Sequence, residues 1–447
     1  MFSTTDTIVA IATPPGRGGL GVVRISGPSS QSIARAVLDR AEPLAPRHAT
    51  LSRVRGVDEV IATLFVAPHS YTGQDVVEIS AHGSPVVLRA IVEATMRAGA
   101  RLAEPGEFTL RAFLNGRLDL VQAEAVGDLI EASTPLQART AFDQLEGTLT
   151  RRIAAIEAAL FDVIARLEAS LDFPDEGYHF IEPVEIENAL RSVSANLSTL
   201  LADARKGRTI REGAAVVIAG RPNVGKSSIF NCLAGHERAI VTPVPGTTRD
   251  LVTEQVDIDG VAVTLVDTAG VRETTDLVER EGVDRARQAA SIATLIVVVL
   301  DQSEGLRDDD REVLEATRER RRVVVRNKVD HPAAWSEEIL GTQAVAFSAA
   351  TGCGIDELRR AIVGALTARE DLRDTPAVSN ARHIALLEDA AAHLDRAAVA
   401  AGSGTSTPEE FVLTDLQQAR ASLEEITGRK TTDDLLEHIF ERFCIGK

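Results

Sequence analysis

One octet limits the fold of this chain more than any other feature. Gly220-Arg221-Pro222-Asn223-Val224-Gly225-Lys226-Ser227 follows a short apolar run, Val216 to Ala219, and opens a stretch with helical spacing. Strand, glycine-bearing loop and helix in that order are the setting a phosphate-cradling P-loop requires. Its glycines let the backbone wrap an anion, so that several N–H groups point at one phosphate chain. In such a loop Lys226 neutralises the outer phosphates and the Ser227 hydroxyl reaches Mg²⁺. Asn223, Val224, Gly225 and Ser228 complete the expected phosphate contacts.

Apolar runs resembling buried strands recur after the octet at Val261 to Val266, Leu295 to Leu300, Val323 to Val325 and Ala344 to Phe347. Helical segments lie between them, which predicts a largely parallel sheet with crossover helices. Asp267-Thr268-Ala269-Gly270 ends the first of these runs, where an Asp suits the outer shell of Mg²⁺ and Gly270 can approach a γ-phosphate. Gly246-Thr247-Thr248-Arg249-Asp250 lies where a switch loop must carry a Thr to the metal, and Thr248 is the expected ligand. Asn327-Lys328-Val329-Asp330 follows the run at Val323, and Asp330 can accept from guanine N1–H and its 2-amino group. A site built on those donors rejects adenine by roughly 10⁴ or more. Ser348-Ala349 fits the last base-contacting loop. Five elements in this order predict GTP binding and hydrolysis. Val271 follows the DTAG sequence where many GTPases carry Gln, and Val cannot orient water. From the residues alone, Glu273, Asp276, Glu279 and Glu281 remain open as replacements.

Residues 1–118 read as mixed α/β, with strands expected at Thr7 to Ala12, Gly21 to Ile25 and Asp75 to Ser80 and a helix after His82-Gly83. Gly16-Arg17-Gly18-Gly19-Leu20-Gly21 satisfies G-x-G-x-x-G, but Val22-Val23-Arg24-Ile25 reads as a strand, so the run predicts a turn between strands. Helical spacing starts with Leu118, Val121, Ala125 and Leu129 and continues with Ile156, Leu160, Val163, Leu167 and Leu171. It returns after about Thr375, with one stripe at Leu416, Ala419, Leu423 and Ile426 and another at Leu435, Ile439 and Phe443. Loops are expected at Asp172 to Gly177 and Gly402 to Pro408. The simplest architecture inserts the nucleotide module, residues 213–375, into a helical domain made of 119–212 and 376–447. The flanking helices would then pack together.

At 447 residues the chain exceeds one compact core, and 26% charged residues suit a soluble enzyme. The longest apolar run, Leu295 to Leu300, is far short of the roughly 20 residues that span a bilayer. Neither a secretory signal nor a myristoylation site is visible, which predicts a cytoplasmic protein. A net charge of -18 opposes nucleic-acid binding over a broad surface. Only two local basic runs stand out: Arg205, Lys206, Arg208 and Arg211, then Arg318, Arg320, Arg321 and Arg322. Each also reads as a helix end, where cations meet the dipole. His69, His82 and Glu78 are too scattered for a metal site. Cys232 reads as core packing. Cys444 is open between a buried small side chain, a reactive thiol and a prenylation site, and the Gly446-Lys447 that follow suit the last poorly.

Taken together, the chain resembles the MnmE/TrmE tRNA-modification GTPase family along its whole length. The resemblance rests on Asp6-Thr7-Ile8-Val9-Ala10, Thr13 to Gly19, Arg24-Ile25-Ser26-Gly27, Pro105-Gly106-Glu107-Phe108, Arg111 to Gly116, the nucleotide motifs and Cys444-Ile445-Gly446-Lys447. It implies a homodimer built on a folate-binding N-terminal domain, and a P-loop GTPase domain inserted in an all-α helical domain. It implies work with an FAD-dependent GidA/MnmG-family partner, as a heterotetramer in that family's manner, on the wobble uridine of certain tRNAs. An aminomethyl-type group would be added at C5, with a 5-formyl or methylene tetrahydrofolate supplying the carbon. Motif alignment places folate contacts on Arg24, Glu78, Arg117 and Lys447, with Arg117 where relatives often carry Lys. It places a potassium site on Asn223, Thr242, Val244 and Thr247, selects Glu279 to orient water, and puts Cys444 at the family's terminal cysteine. The rival expectation is a ribosome-assembly or regulatory GTPase without modification chemistry. A lipid-anchored switch is the third.

Overall fold

The computed structural model describes residues 4–172, 183–202, 204–236, 252–267, 293–367, 376, 378–402 and 409–447. These fall into two compact units: residues 1–127, 144–190 and 392–447, and residues 128–143 and 191–391.

The first unit opens with a six-stranded sheet: β1 Ile8–Ile11, β2 Gly21–Ser26, β3 Thr50–Val54, β4 Asp58–Phe65, β5 Val76–Ala81 and β6 Arg101–Leu102. The spatial order is β3-β4-β5-β2-β1-β6, antiparallel except where β1 pairs with β6. The glycine run joins β1 to β2, and the two strands pair antiparallel from Ile8↔Ser26 to Ile11↔Val23, as expected of a turn between strands. Helices Ser30–Val37 and Pro85–Arg97 cover one face, burying Ile33, Leu88 and Ile91 against Val23, Ile25, Val77 and Ile79. Strands β3 and β4 alternate more and less buried side chains. The sequence reading missed both, although Val60 to Phe65 of β4 is nearly all apolar.

Two long helices of this unit, Thr148–Asp172 and Glu409–Thr427, lie against each other although the entire second sheet separates them in sequence. That is the signature of an inserted domain. Ile156, Leu160, Val163 and Leu167 are buried from one side and Leu416, Ala419, Leu423 and Ile426 from the other. Each large side chain so buried contributes about 1.5–3 kcal/mol. Gln417 donates to Glu168 at 3.0 Å, Arg429 to Glu157 at 2.9 Å, and Arg420 covers the Phe161 ring. The last helix, Asp433–Phe440, differs from the expected stripe. Leu436 and Phe440 are its buried residues, with Ile439 and Phe443 packed beside them on Leu110 and Leu120. The helix stops at Phe440, so Phe443 approaches from the following turn rather than along a continuous face.

The second unit holds the other sheet: β7 Ala214–Ala219, β8 Val252–Ile258, β9 Val261–Asp267, β10 Leu295–Asp301, β11 Arg322–Asn327 and β12 Ala344–Ala346. Its order is β12-β11-β10-β7-β9-β8, with every pair parallel except the β8–β9 hairpin. The sequence reading missed β8, an edge strand that alternates apolar and polar residues. Helices Lys226–His236 and Ile355–Leu366 pack on one face, through Ile229, Leu233, Leu358 and Ile362. Cys232 joins that core, as expected. No described helix is long and apolar enough to cross a membrane. Asp172 and Gly402, expected to open loops, instead end the helices Thr148–Asp172 and Ala381–Gly402, and the rest of both expected loops lies outside the described residues.

Candidate functional site

Parallel strands send their C-terminal ends to one edge of a sheet, and loops from that edge converge. Here β7 runs into the octet, β9 ends at Asp267, β11 runs into Asn327 to Asp330, and β12 leads to Ser348 and Ala349. The octet turns sharply. Asn223 has φ +62° and Gly225 φ +97°, and Lys226 begins the helix. A Cβ at residue 225 would sit 2.1 Å from Asn327 Nδ2, so only glycine fits there. Asn327 is buried behind the loop and donates Nδ2 to the Val224 carbonyl at 2.7 Å. It thereby locks the base-side motif to the phosphate-side loop.

Lys226 is buried and donates to the Arg221 carbonyl at 2.9 Å, leaving two ammonium protons for other acceptors. Burial pushes its pKa down; the Asp267 carboxylate opposes that shift and Arg221 adds to it. A ligand that brings negative charge would reverse the burial effect. Ser227 donates to Asp267 Oδ2 at 2.9 Å, so a hydroxyl and a buried carboxylate stand side by side. That oxygen pair has the chemistry of a Mg²⁺ site. Ser228 is exposed in the first turn of the same helix.

On the base side, Ser348 donates to Asp330 Oδ1 at 2.6 Å and holds its carboxyl below the ordinary range. Asp330 is therefore an acceptor at neutral pH, as recognition of guanine requires. Lys328, at φ +63°, reaches Asp301 Oδ2 at 2.5 Å. Asp301, at the end of β10, is nearly fully buried. Burial raises its pKa, but Lys328 and Ser303 outweigh that and keep it ionised. The sequence reading missed Asp301, although an acid ending a seven-residue apolar strand is a visible signal. It also missed Arg221, which is buried and paired with Asp310 at 3.2 Å and Glu304 at 3.0 Å. The candidates Thr242, Val244, Thr247, Thr248, Thr268, Ala269, Gly270 and Glu279 lie outside the described residues.

A family model described as the MnmE helical domain matches residues 120–444, and one described as the GTP-binding protein TrmE N-terminus matches 7–117. The tRNA modification GTPase MnmE of Koribacter versatilis is 44% identical over 455 residues, covering 99% of each chain. The chain belongs to the MnmE family of tRNA modification GTPases. The MnmE of Nitrosomonas europaea is 43% identical over the full length of both proteins. Among solved structures, the G domain of the T. maritima FeoB iron transporter overlaps 34% of this chain and 98% of its own, at 25% identity and a TM-score of 0.27.

In this MnmE-family chain the second group of candidates meets in the first unit. Residues Cys444 to Lys447 fold back along the N-terminal sheet. Ile445 bridges to Pro105, Phe108 N donates to the Lys447 carbonyl at 3.2 Å, and Gly446 packs on Ile11. Arg24, from β2, donates to Gly446 O at 3.2 Å and to Glu78, its cross-strand neighbour on β5, at 2.9 Å. Its guanidinium also lies over the Tyr71 and Phe108 rings, at 5.2 and 5.7 Å from their centroids. Lys447 is half-buried. Burial and nearby Arg24 push its pKa down, against Glu78 and Cys444. Arg24, Glu78 and Lys447 thus form one cluster with two cations, one carboxylate and two aromatic walls. Arg117 is exposed beside Gly73, and among the described residues its side chain makes no hydrogen bond or ion pair. Cys444 is exposed, which removes the buried-side-chain reading. Tyr71 and Phe108 went unnoticed in the sequence, since only the fold turns both towards Arg24.

Beneath this cluster lies a brace of buried charge. Arg111 is 1% exposed and donates to Glu107 at 2.8 Å, to Asp6 Oδ1 at 2.6 Å and to the Asp6 carbonyl at 2.7 Å. Arg101 holds the same two carboxylates from the other side. This fixes the start of the helix Glu107–Leu114, from which the Phe108 amide receives the tail.

Proposed function

We infer that this MnmE-family GTPase is potassium-activated and works with an FAD-dependent partner of the GidA/MnmG family. Together they install an aminomethyl-type group at C5 of the wobble uridine of certain tRNAs, with a 5-formyl or methylene tetrahydrofolate as carbon source. The observation that carries the modification half is the meeting of Glu78 and Lys447 at Arg24, whose guanidinium lies over the Tyr71 and Phe108 rings. Aromatic walls suit the flat pterin of a folate, and the cations suit the carboxylates of its glutamate tail. Arg117 would reach the same ligand from beside Gly73. A GTPase whose work ended with ribosome assembly would have no use for such a cluster.

The nucleotide half follows from the sheet edge. Lys226 and the octet amides hold the phosphates, Asp330 selects guanine, and Ser227 with Thr248 would hold Mg²⁺. Asn223, with Thr242, Val244 and Thr247, would hold K⁺. When bound, the two cations supply the positive charge that a phosphoryl-transfer transition state needs. Glu279 takes the water-orienting role that Val271 cannot. The working protein is a cytoplasmic homodimer built on residues 1–118, with 213–375 as the GTPase domain within the helices of 119–212 and 376–447. With the FAD partner it forms a heterotetramer.

One experiment tests both halves: GTP turnover and wobble-uridine mass spectrometry in the same reactions, in K⁺ and in Na⁺. Faster turnover and more product in K⁺ are expected. Equal turnover refutes the potassium site, and unmodified uridine with active GTPase refutes the modification chemistry. Glu279→Ala should slow hydrolysis with little loss of GTP affinity; a large affinity loss would mean a structural role.

A further inference from the structure

The two basic runs, Arg205–Arg211 and Arg318–Arg322, are over a hundred residues apart, yet the fold brings members of both to one cavity of about 600 Å³ in the second unit. Arg205, Lys206 and Arg208 come from the helix Ala204–Glu212, Arg321 stands just before β11 and Thr294 just before β10. The cavity therefore lies at the N-terminal ends of the parallel strands. The octet and the base motifs occupy the C-terminal ends, roughly 20 Å away for strands of this length. An anion held here is not the phosphate chain of the bound nucleotide.

Most cations in the two runs are already committed. Arg211 pairs with Asp128 at 2.7 Å, Arg208 with Glu212 at 2.9 Å and Arg318 with Glu315 at 3.6 Å, while Arg322 bonds Thr317 Oγ1 at 3.1 Å. Lys206 is buried. Arg205 and Arg321 differ. Both are exposed, and neither has a carboxylate partner among the described residues. Their backbones are nonetheless fixed: Thr209 Oγ1 donates to Arg205 O at 3.0 Å and Ile296 N to Arg321 O at 3.0 Å. The Thr294 hydroxyl accepts from Ala215 N at 3.3 Å, which leaves its proton to donate. Among the described residues the lining carries four cations, Arg205, Lys206, Arg208 and Arg321, against one carboxylate, Glu212.

We propose that this cavity holds backbone phosphates of tRNA, with Arg205 and Arg321 as the phosphate-facing pair. The proposal rests on the reading that the protein serves tRNA modification. The net charge of -18 is no obstacle, because charges beyond the Debye length of about 8 Å are largely screened at physiological salt. What a phosphate meets within that radius is the local excess of cations. Arginine pairs on a concave surface suit the two oxygens of a phosphodiester.

The test uses the full chain and fluorescein-labelled tRNA, with anisotropy titrations from 50 to 200 mM KCl, chosen as about the range over which phosphate contacts are most salt-sensitive. R205A/R321A should bind tRNA about tenfold more weakly, and its log K against log salt slope should shrink by about 1.4 to 1.8, the loss of two phosphate contacts. R205K/R321K should recover most of that slope. GTP affinity and turnover should match the parent in every variant, which also certifies folding. The same tRNA affinity and slope in folded R205A/R321A would overturn the proposal, as would absence of tRNA binding by the parent chain. Inorganic tripolyphosphate binding to the arginine pair while tRNA does not would assign the cavity to free anions, and an acidic protein bound in preference to tRNA would assign it to a partner; either overturns it. Arginine-dependent tRNA binding without wobble modification would sink the functional reading alone.

Discussion

Replacing Gly446 by alanine should detach the C-terminal tail from the N-terminal sheet. Gly446 has φ +99°, and a Cβ there would lie 2.3 Å from the Ile11 carbonyl oxygen and 3.0 Å from Ala12 Cα. Both neighbours are backbone and cannot swing aside. The conformation alone costs an L-residue about 1–3 kcal/mol. Escaping the overlap sacrifices the Arg24 bond to Gly446 O, worth about 1.5–3 kcal/mol, and the Phe108 bond to Lys447 O, worth about 1 kcal/mol. A total near 3 kcal/mol or more corresponds to roughly 10²-fold faster local opening, at 1.4 kcal/mol per tenfold. Hydrogen exchange followed by mass spectrometry, on peptides covering Phe108 and Ile445, reads that opening directly. Gly116→Ala is the control, since Gly116 has φ +68° but nothing within 4 Å of its would-be Cβ. It should change exchange by less than about tenfold, from backbone strain alone. Exchange in Gly446→Ala within threefold of the parent, about the precision such a comparison allows, would refute the claim that the tail is held by close backbone packing.

Arg111→Met should cost about 3–5 kcal/mol, read by urea unfolding, because it takes the buried arginine away from Glu107 and Asp6 and leaves Arg101 alone to hold both carboxylates. Burial raises Glu107 and Asp6, but their arginine hydrogen bonds outweigh it, and both titrate below their ordinary 4.5 and 3.8. Their stabilisation is thus complete above those values and fades as pH falls through the lowered ones. The parent should lose stability across that acid window, and the variant should lose less. Asp330→Ala should weaken GTP at least about 10²-fold in a fluorescent-nucleotide titration, since two guanine donors lose their acceptor; an unchanged Kd would remove Asp330 from base recognition. Cys444→Ser should keep GTP turnover while lowering wobble-uridine product, given an exposed thiol on the tail that carries Lys447. Full product would exclude thiol chemistry.

The parallel sheet was legible because its strands are buried on both faces, so Leu295 to Leu300 and Val261 to Val266 stand out as solid apolar runs. Strands β3 and β8 were not, since β3 buries Thr50 and Ser52 while exposing Leu51, and in β8 Val256 and Ile258 flank Asp257; β4 was overlooked although Val60 to Phe65 is nearly all apolar. Motif residues such as Lys226, Asp267 and Asn327 were readable because phosphate and guanine dictate residue types at fixed spacing. Asp301 was readable in principle, as the acid that ends the apolar run Leu295 to Leu300, whereas the role of Arg221 comes from burial, which a linear pattern does not carry. The Arg24 cluster shows the other limit. Resemblance could assign Arg24, Glu78 and Lys447 to one ligand, but only three-dimensional packing adds Tyr71 and Phe108 and leaves Arg117 to one side. The two basic runs look alike in sequence, and only the fold tells committed arginines from Arg205 and Arg321.

The bond from Arg24 to Gly446 joins residues 422 positions apart. During synthesis the ribosome makes β2 and β5 early, then needs roughly 20 to 80 s, at 5–20 residues per second, to deliver the residues that finish their pocket. Throughout that interval Arg24 and the Tyr71 ring stand assembled but uncapped, while the whole nucleotide-binding domain emerges and folds. GTP binding can therefore mature on a nascent chain well before the cluster of Arg24, Glu78 and Lys447 exists. A prematurely terminated product would still carry the nucleotide-binding domain while being unable to close the pocket around Arg24.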